Sequence, residues 1–417
     1  MKTIFTIFLL SLLYMTPAHA RDILTWEECV SEAKKNHPDL LSAAEKVRQA
    51  KEDKAIETSS LLPQINSSVS GKSAKSSAGA ATDTYSYGLT GEQLVFDGFK
   101  TIHNISGASE TLKAEEYNYA VTSSNIRLNL RSAFTGLLKA RELLSLTKEI
   151  SKRRNENLEL VRLRYEAGRE HKGSLLTAEA DLAGAEYEVK QAERNIMLSR
   201  RELSAEMGLA KPGPVNVAGD FIVPPHYGVK PDIDRLADST PFLRELMARK
   251  EASRHDLKSQ KADFLPRIYL NGAVGKTREE WPPGDDTWSF GMTVSLPIFE
   301  GGSRISEVKK ADSKLRQAEA DERSGRDSVL VTLETAWKNL RDAIENVSVR
   351  KKFLEATEER ARITQAQYET GLISFDNWII IEDNLVNAKK AFLNAEANML
   401  IAEAYWIQAM GGTLEYD

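Results

Sequence analysis

Two hydrophobic rhythms alternate along the chain. In the first, apolar or small residues recur three and four positions apart. Leu130, Ala133, Leu137, Ala140, Leu144 and Thr147 keep this spacing, and Leu158, Val161 and Tyr165 resume it. Leu175, Ala178, Leu182, Ala185, Val189, Ala192 and Ile196 continue it, as do Trp378, Ile381, Leu385, Ala388, Phe392, Ala395, Met399 and Ala402. That spacing predicts long helices packed along one seam, and the alternation of large residues with Ala suits a wall of closely approaching helices. No Pro occurs from Lys100 to Glu166, a stretch that spans about 100 Å as a helix. The second rhythm has a period of two. Phe290, Met292, Val294 and Leu296 fall on one side of a predicted strand, and Ser289, Gly291, Thr293 and Ser295 on the other. Tyr85, Tyr87 and Leu89 give a weaker version.

These patterns occur twice, at one constant offset of 203 positions (241 − 38). Pro38 matches Pro241, Leu62-Pro63 matches Leu265-Pro266, and Phe96-Asp97-Gly98 matches Phe299-Glu300-Gly301. Ala133 matches Ala336, Tyr165 matches Tyr368, Gly168 matches Gly371 and Gly208 matches Gly411. A shared offset over nearly the whole chain predicts two structurally equivalent repeats. The first covers 21–208, with strands near 64–70 and 85–96 and long helices near 100–166 and 173–207. The second covers 231–411, with strands near 267–275 and 288–298 and long helices near 303–369 and 374–409. A tail of residues 412–417 follows. Residues 209–230, with Pro212, Pro214, Pro224 and Pro225, read as a linker. Each repeat opens with short helices, the first behind a Thr25-x-x-Glu28 capping box and broken at His37-Pro38. Gly71 to Thr84 and Lys276 to Thr287 read as polar loops joining the strands.

A tilted strand of about 9 to 11 residues with one apolar face can cross a bilayer. Four strands cannot close a barrel alone, and open edges are not tolerated in lipid. Spanning strands therefore imply that several chains share one barrel. At the N-terminus, Lys2, the apolar run Ile4 to Tyr14 and Ala18-His19-Ala20 have the form of a secretory signal peptide, residues 1–20. No later apolar run is long enough for a transmembrane helix.

Candidate chemistry is sparse. The net charge of −5 leaves no electrostatic footprint for nucleic acid. Cys29 is the single Cys, so no internal disulfide forms; lying well past the cleavage site, it reads as a small apolar residue of the first helix rather than a lipid anchor. The six His are scattered, with no His-x-x-His or Glu-x-x-His pair, and no phosphate loop is present, so no catalytic, metal or cofactor site is expected and the chain is not read as an enzyme. The basic run Lys152-Arg153-Arg154 reads as a solvated helix face.

In its duplicated order and local motifs the chain resembles the TolC family of outer-membrane efflux proteins. Those motifs are Leu24-Thr25-Trp26-Glu27-Glu28, Leu61-Leu62-Pro63 with Phe264-Leu265-Pro266, Leu94-Val95-Phe96-Asp97-Gly98 with Leu296-Pro297-Ile298-Phe299-Glu300-Gly301-Gly302, and Tyr165-Glu166-Ala167-Gly168 with Tyr368-Glu369-Thr370-Gly371. The resemblance implies a mainly α protein with a membrane β-barrel portion: a homotrimer whose twelve-stranded barrel sits in outer-membrane lipid and continues into a periplasmic α-helical barrel. It implies a passive exit duct for efflux or type I secretion, served by a periplasmic adaptor and an inner-membrane transporter. The periplasmic tip and adaptor contact would comprise Ala167, Gly168, Arg169, Thr370, Gly371, Leu372 and Phe375. The entrance region would comprise Tyr165, Ser174, Tyr368 and Asn377. Phe290, Met292, Val294 and Leu296 would face lipid. Some members of the family carry two entrance aspartates, at positions matching Asn377 and Ile380; this chain has neither, although Asp376 is adjacent, and Ser174 and Thr177 hold the equivalent places in the first repeat. The rival readings are a periplasmic adaptor, which would need one hairpin between β-rich domains, and a structural periplasmic coiled coil, which leaves the apolar strand face unexplained.

Overall fold

The structure is a computed structural model and describes residues 23–75, 79, 81–210, 215–221 and 228–416. The expected signal peptide, residues 1–20, and part of the expected linker lie outside the described residues. The first half runs β1 (Ile23–Leu24), α1 (Trp26–Asn36), α2 (Pro38–Ser59), β2 (Gln64–Lys75), β3 (Ala81–Phe96), α3 (Lys100–Glu166) and α4 (Lys172–Glu206). After β4 (Asn216–Val217), the second half runs α5 (Ile233–Ser239), α6 (Pro241–Ala262), β5 (Arg267–Arg278), β6 (Asp285–Ser295), α7 (Ser303–Glu369) and α8 (Phe375–Ala409). The capping box forms: the Glu28 amide donates to Thr25 Oγ1 (3.3 Å), and the Thr25 amide donates to the Glu28 carboxylate (3.0 Å).

β2, β3, β5 and β6 form one antiparallel sheet in that order, so its two edges are β2 and β6. Pairing carries the strands further toward their tips than the sequence pattern predicted. Residues 71–75, 81–84, 276–278 and 285–287, expected in loops, are strand, because a backbone ladder places little demand on side chains. At its other end β6 stops at Ser295 rather than 298, since Pro297 has no N–H to donate.

The register sorts the whole sheet into two unlike faces. One carries Ile65 and Val69 of β2, Tyr87 and Leu89 of β3, Ile268, Leu270 and Val274 of β5, and Trp288, Phe290, Met292 and Val294 of β6. The other carries Asn66, Ser68, Ser70, Ser86, Thr90, Asn271, Thr277, Ser289 and Thr293, tied by Ser70–Ser86 (2.8 Å) and Asn271–Thr293 (2.8 Å) hydrogen bonds. Phe290, Met292, Val294 and Leu296 are all exposed in the single chain.

Where strand becomes helix, two successive residues take left-handed backbone in each repeat, Gly98-Phe99 and Gly301-Gly302. In the first junction the Asp97 carboxylate accepts from the Thr101 amide (2.8 Å) and hydroxyl (2.6 Å), which caps α3. Lys100 spans to Asp263 at the end of α6, donating 2.8 Å bonds to both carboxylate oxygens, and Arg267 joins the same carboxylate. Below the junctions, the helices touch along the predicted seam. On α4 the buried seam residues are Ala178, Ala185 and Ala192, seven apart, while Leu182 and Val189 between them are only half-covered. Small residues mark where helices touch inside one chain; the larger ones keep free surface. The main core forms where Leu130, Phe134, Leu137 and Leu138 of α3 meet Cys29 and Ala33 of α1, Leu203 of α4 and Met207 at its C-terminal cap. Burial, with help from Glu28 and Glu27, pushes the Cys29 thiol up to about 12, which keeps it an inert packing group.

Each long helix ends on a left-handed Gly (Gly168, Gly208, Gly371, Gly411) with the paired backbone bonds of a Schellman cap, such as Arg169 N to Arg164 O (2.8 Å) and Gly168 N to Tyr165 O (2.9 Å). A Cβ at Gly168 would meet nothing within 4 Å, whereas one at Gly208 would lie 2.4 Å from the Asn36 carbonyl oxygen. Gly168→Ala should therefore cost only the conformational penalty of about 1–2 kcal/mol, and Gly208→Ala distinctly more, as read from urea unfolding of the two variants. Burial alone would raise the Asp263 carboxyl, but the bonds from Lys100 and Arg267 outweigh it and hold it below its usual range. This junction's contribution to stability is thus full above the ordinary carboxylate pKa near ~4 and is lost as pH falls through the lowered folded value. Acid unfolding of Asp263→Asn should lack that component.

Candidate functional site

The ends of the two long hairpins, farthest from the sheet, bring the sequence-predicted tip residues together. Gly168 and Gly371 turn the chain, and α4 then starts behind His171, whose Nδ1 accepts from the Ser174 amide (3.1 Å). The Ser174 hydroxyl donates to Glu170 (2.9 Å), and the other oxygen of Glu170 accepts from the Tyr368 hydroxyl (2.9 Å). Tyr368 is fully buried. Its ring stacks on Trp378 at 4.3 Å and 10°, and the Arg164 guanidinium lies 4.6 Å from its centroid while donating to its carbonyl (2.9 Å). Burial, then the bond to Glu170, pushes the Tyr368 phenol well above its ordinary range. Phe375 stands edge-on to both rings, and Leu158, Val161 and Ala178 cover the group from the other hairpin.

One layer further from the tip, Glu382 is 1% exposed and receives Arg153 through Nε (2.6 Å) and Nη2 (2.8 Å), with Asn157 at 3.4 Å. Arg154 pairs with Asp383 and approaches Asp181 at 3.8 Å. Burial pushes the Asp181 carboxyl up, against the pull of Arg154. Lys389–Glu149 (2.6 Å) and Lys390–Glu188 (2.7 Å) extend the ladder. Apart from the Arg154–Asp181 approach, which lies within the α3/α4 hairpin, these contacts join the α3/α4 hairpin to the α7/α8 hairpin. They correct the reading of Lys152-Arg153-Arg154 as a solvated face: only Lys152 fits it, and Arg153 and Arg154 are turned into the seam by the acids of α8. The signal was present in the sequence, since Glu382 falls four residues after Trp378 on the apolar stripe.

Of the expected tip residues, Ala167, Gly168, Arg169, Thr370, Gly371 and Leu372 are exposed, Leu372 to 76%. Phe375 is not. Its apolar surface is taken up between the two hairpins of its own chain, so of the two large apolar side chains expected at the tip only Leu372 stands free. Of the expected entrance residues, Tyr165 and Asn377 are exposed, while Ser174 and Tyr368 are buried and act as struts of the tip. Among the described residues no group of three His, Cys, Asp or Glu could hold a metal ion, and no helix is long and apolar enough to cross a membrane.

A two-faced antiparallel sheet set on a rod of paired helical hairpins defines the class, an outer-membrane exit channel. The family model described as outer membrane efflux protein matches residues 29–209 and again 233–412, and the chain belongs to that family. It is 24% identical to the outer membrane efflux protein BepC of Brucella suis, over 93% of this chain and 87% of that one. It is 22% identical to the alkaline protease secretion protein AprF of Pseudomonas aeruginosa, over 69% of this chain and 64% of that one. The crystal structure of the Campylobacter jejuni CmeC outer membrane channel superposes with a TM-score of 0.83 at 20% identity, covering 93% of this chain and 86% of that one. The family is one of outer-membrane channels rather than enzymes.

Removing Arg153 leaves Glu382 buried without its main partner. Arg153→Ala should destabilise by about 3–5 kcal/mol, and Arg169→Ala, at an exposed turn, by less than about 0.5 kcal/mol. Unfolding in urea with hydrogen exchange at 150–160 and 375–390 checks both.

Proposed function

We propose that three copies of this chain close one twelve-stranded barrel in the outer membrane, continued by a helical tunnel through the periplasm, as the passive exit duct of a tripartite efflux or secretion system. The observation that carries this reading is the sheet: four strands, one apolar face, and two edges left unpaired. In lipid each open N–H or C=O costs several kcal/mol, and β2 of one copy joined to β6 of the next removes both edges. The apolar face has the right extent. From Trp288 to Leu296 it runs roughly 26 Å along the strand, or roughly 20 Å once tilted. Tyr85, Tyr87, Trp281 and Trp288 gather at its outer end, and Phe99 and Phe299 are exposed at its inner end, as interfacial aromatics do. The half-covered seam residues of α4 would then pack on a neighbouring copy.

At the far end, the exposed turns with Leu372 suit contact with a periplasmic adaptor. The relatives carry names of efflux and of protease secretion, which agrees with a duct whose cargo is chosen by the inner-membrane transporter.

Mass measurement of the detergent-solubilised protein, corrected for bound detergent, tests the assembly: a trimer is expected, and a stable monomer or dimer refutes it. Met292→Arg should cost about 2–4 kcal/mol in lipid folding assays if the residue faces the bilayer midplane; a neutral outcome there and at Val294 would place the strand outside the membrane. Leu372→Ser should weaken adaptor retention with Tm unchanged, whereas Phe375→Ser should lower Tm.

A further inference from the structure

His103 of α3 and His255 of α6 face each other across the seam just below the strand–helix junction. Their ring centroids are 5.7 Å apart with planes tilted by 42°. The Nδ1 atoms of both rings are buried and have no hydrogen-bond partner. Two orphaned acceptor or donor nitrogens in one helix contact are unusual, because each forfeits a hydrogen bond that water would have supplied. Their neighbours are satisfied: Ser259 donates to Asn104 (2.5 Å), and Lys100 to Asp263. The duplicated plan does not require the pair either. At the equivalent positions of the other repeat stand Ser306 and Glu52.

We propose that this pair is a binding site for a late first-row transition-metal cation, of the zinc or copper class, which bridges α3 to α6. Imidazole is a ligand these ions favour. Zinc–nitrogen bonds of about 2.0–2.1 Å set the centroids of two ligating rings roughly 5–6 Å apart at tetrahedral to linear angles. Two protein ligands hold an ion more weakly than four, so binding is reversible and the ion acts as a clip rather than as a core of the fold. Burial, then His255 and Lys258, lowers the pKa of His103, and Asp97 opposes them. Lys258 also repels a cation and Asp97 attracts one, which sets the affinity below that of a four-ligand site. The clip would join the two repeats beside the Lys100–Asp263 contact, and so stiffen the base of the sheet.

The full chain, purified in detergent and stripped with a chelator, is titrated with zinc and separately with Cu(II). Zinc should raise Tm. His103→Gln and His255→Gln should each abolish the rise, and the double variant should lose no more than either single one, because the two residues act as a unit. Cu(II) paramagnetic resonance of the wild type should show coupling to two imidazole nitrogens, a readout that needs no variant to fold. His103→Ser, which installs the residue of the equivalent position, serves as the second variant. A wild-type Tm indifferent to zinc, a Cu(II) spectrum without two-nitrogen coupling, or unchanged metal binding in the double variant would each overturn the site.

Discussion

A β-sheet leaves its outer strands with rows of backbone N–H and C=O groups that must find partners. In water the solvent supplies them, and in a bilayer nothing does. This sheet presents an apolar face across all four strands, which the proposed function sets in lipid, yet both of its edges are open within one chain. No side-chain adjustment resolves that conflict; only further strands do. The remaining features follow from it. In the proposed barrel the polar, small-residue face lines an interior, the helices leave the sheet on one side, and each chain keeps surfaces for its neighbours.

Duplication meets these demands with one plan used twice. Each repeat supplies a strand pair and a long helical hairpin, and each strand-to-helix bend uses two left-handed residues. The copies differ where their surroundings differ. Asp97 is buried and caps its helix, whereas its counterpart Glu300 pairs with Arg304 in a more exposed setting. Phe99 takes a backbone conformation for which its counterpart Gly302 is better suited, and its ring packs on Phe96 at 5.6 Å. Along the helices the Ala residues of α4 lie in the contact within the chain and the Leu and Val positions remain part-covered, so a single seven-residue rhythm serves both a hairpin and a wall.

Much of this was legible in the sequence. Pro-free length and three-four spacing located α3, the same spacing located α4 and α8, and the constant offset tied each element of the first half, α3 with α7 included, to one of the second. The strand tips were not legible, because Ser, Ala and Gly in 71–75 and 81–84 carry turn-like composition while the ladder needs only backbone. The short parallel pair Ile23–Leu24 with Asn216–Val217 offers too little periodicity to detect. At the tip, chain position correctly gathered the residues around Gly168 and Gly371, but residue type misled in both directions. Phe375, expected at the adaptor contact, is core, and Arg153 and Arg154, expected on a solvated face, are bound to Glu382 and Asp383. The buried carboxylate at Glu382, on the face of Trp378 and Leu385, was the available clue.

The central claim is that the sheet is completed by copies of itself. It is tested most directly at the edges. Cysteine placed at Ser68 on β2, together with cysteine at Ser289, Gly291 or Thr293 on β6, samples three registers of the proposed seam, and the native Cys29 is buried and silent. Oxidation in the membrane followed by denaturing electrophoresis should give, at one register, a ladder ending in a covalent trimer. Monomers alone at every register, with the thiols shown to be oxidisable, would contradict the account.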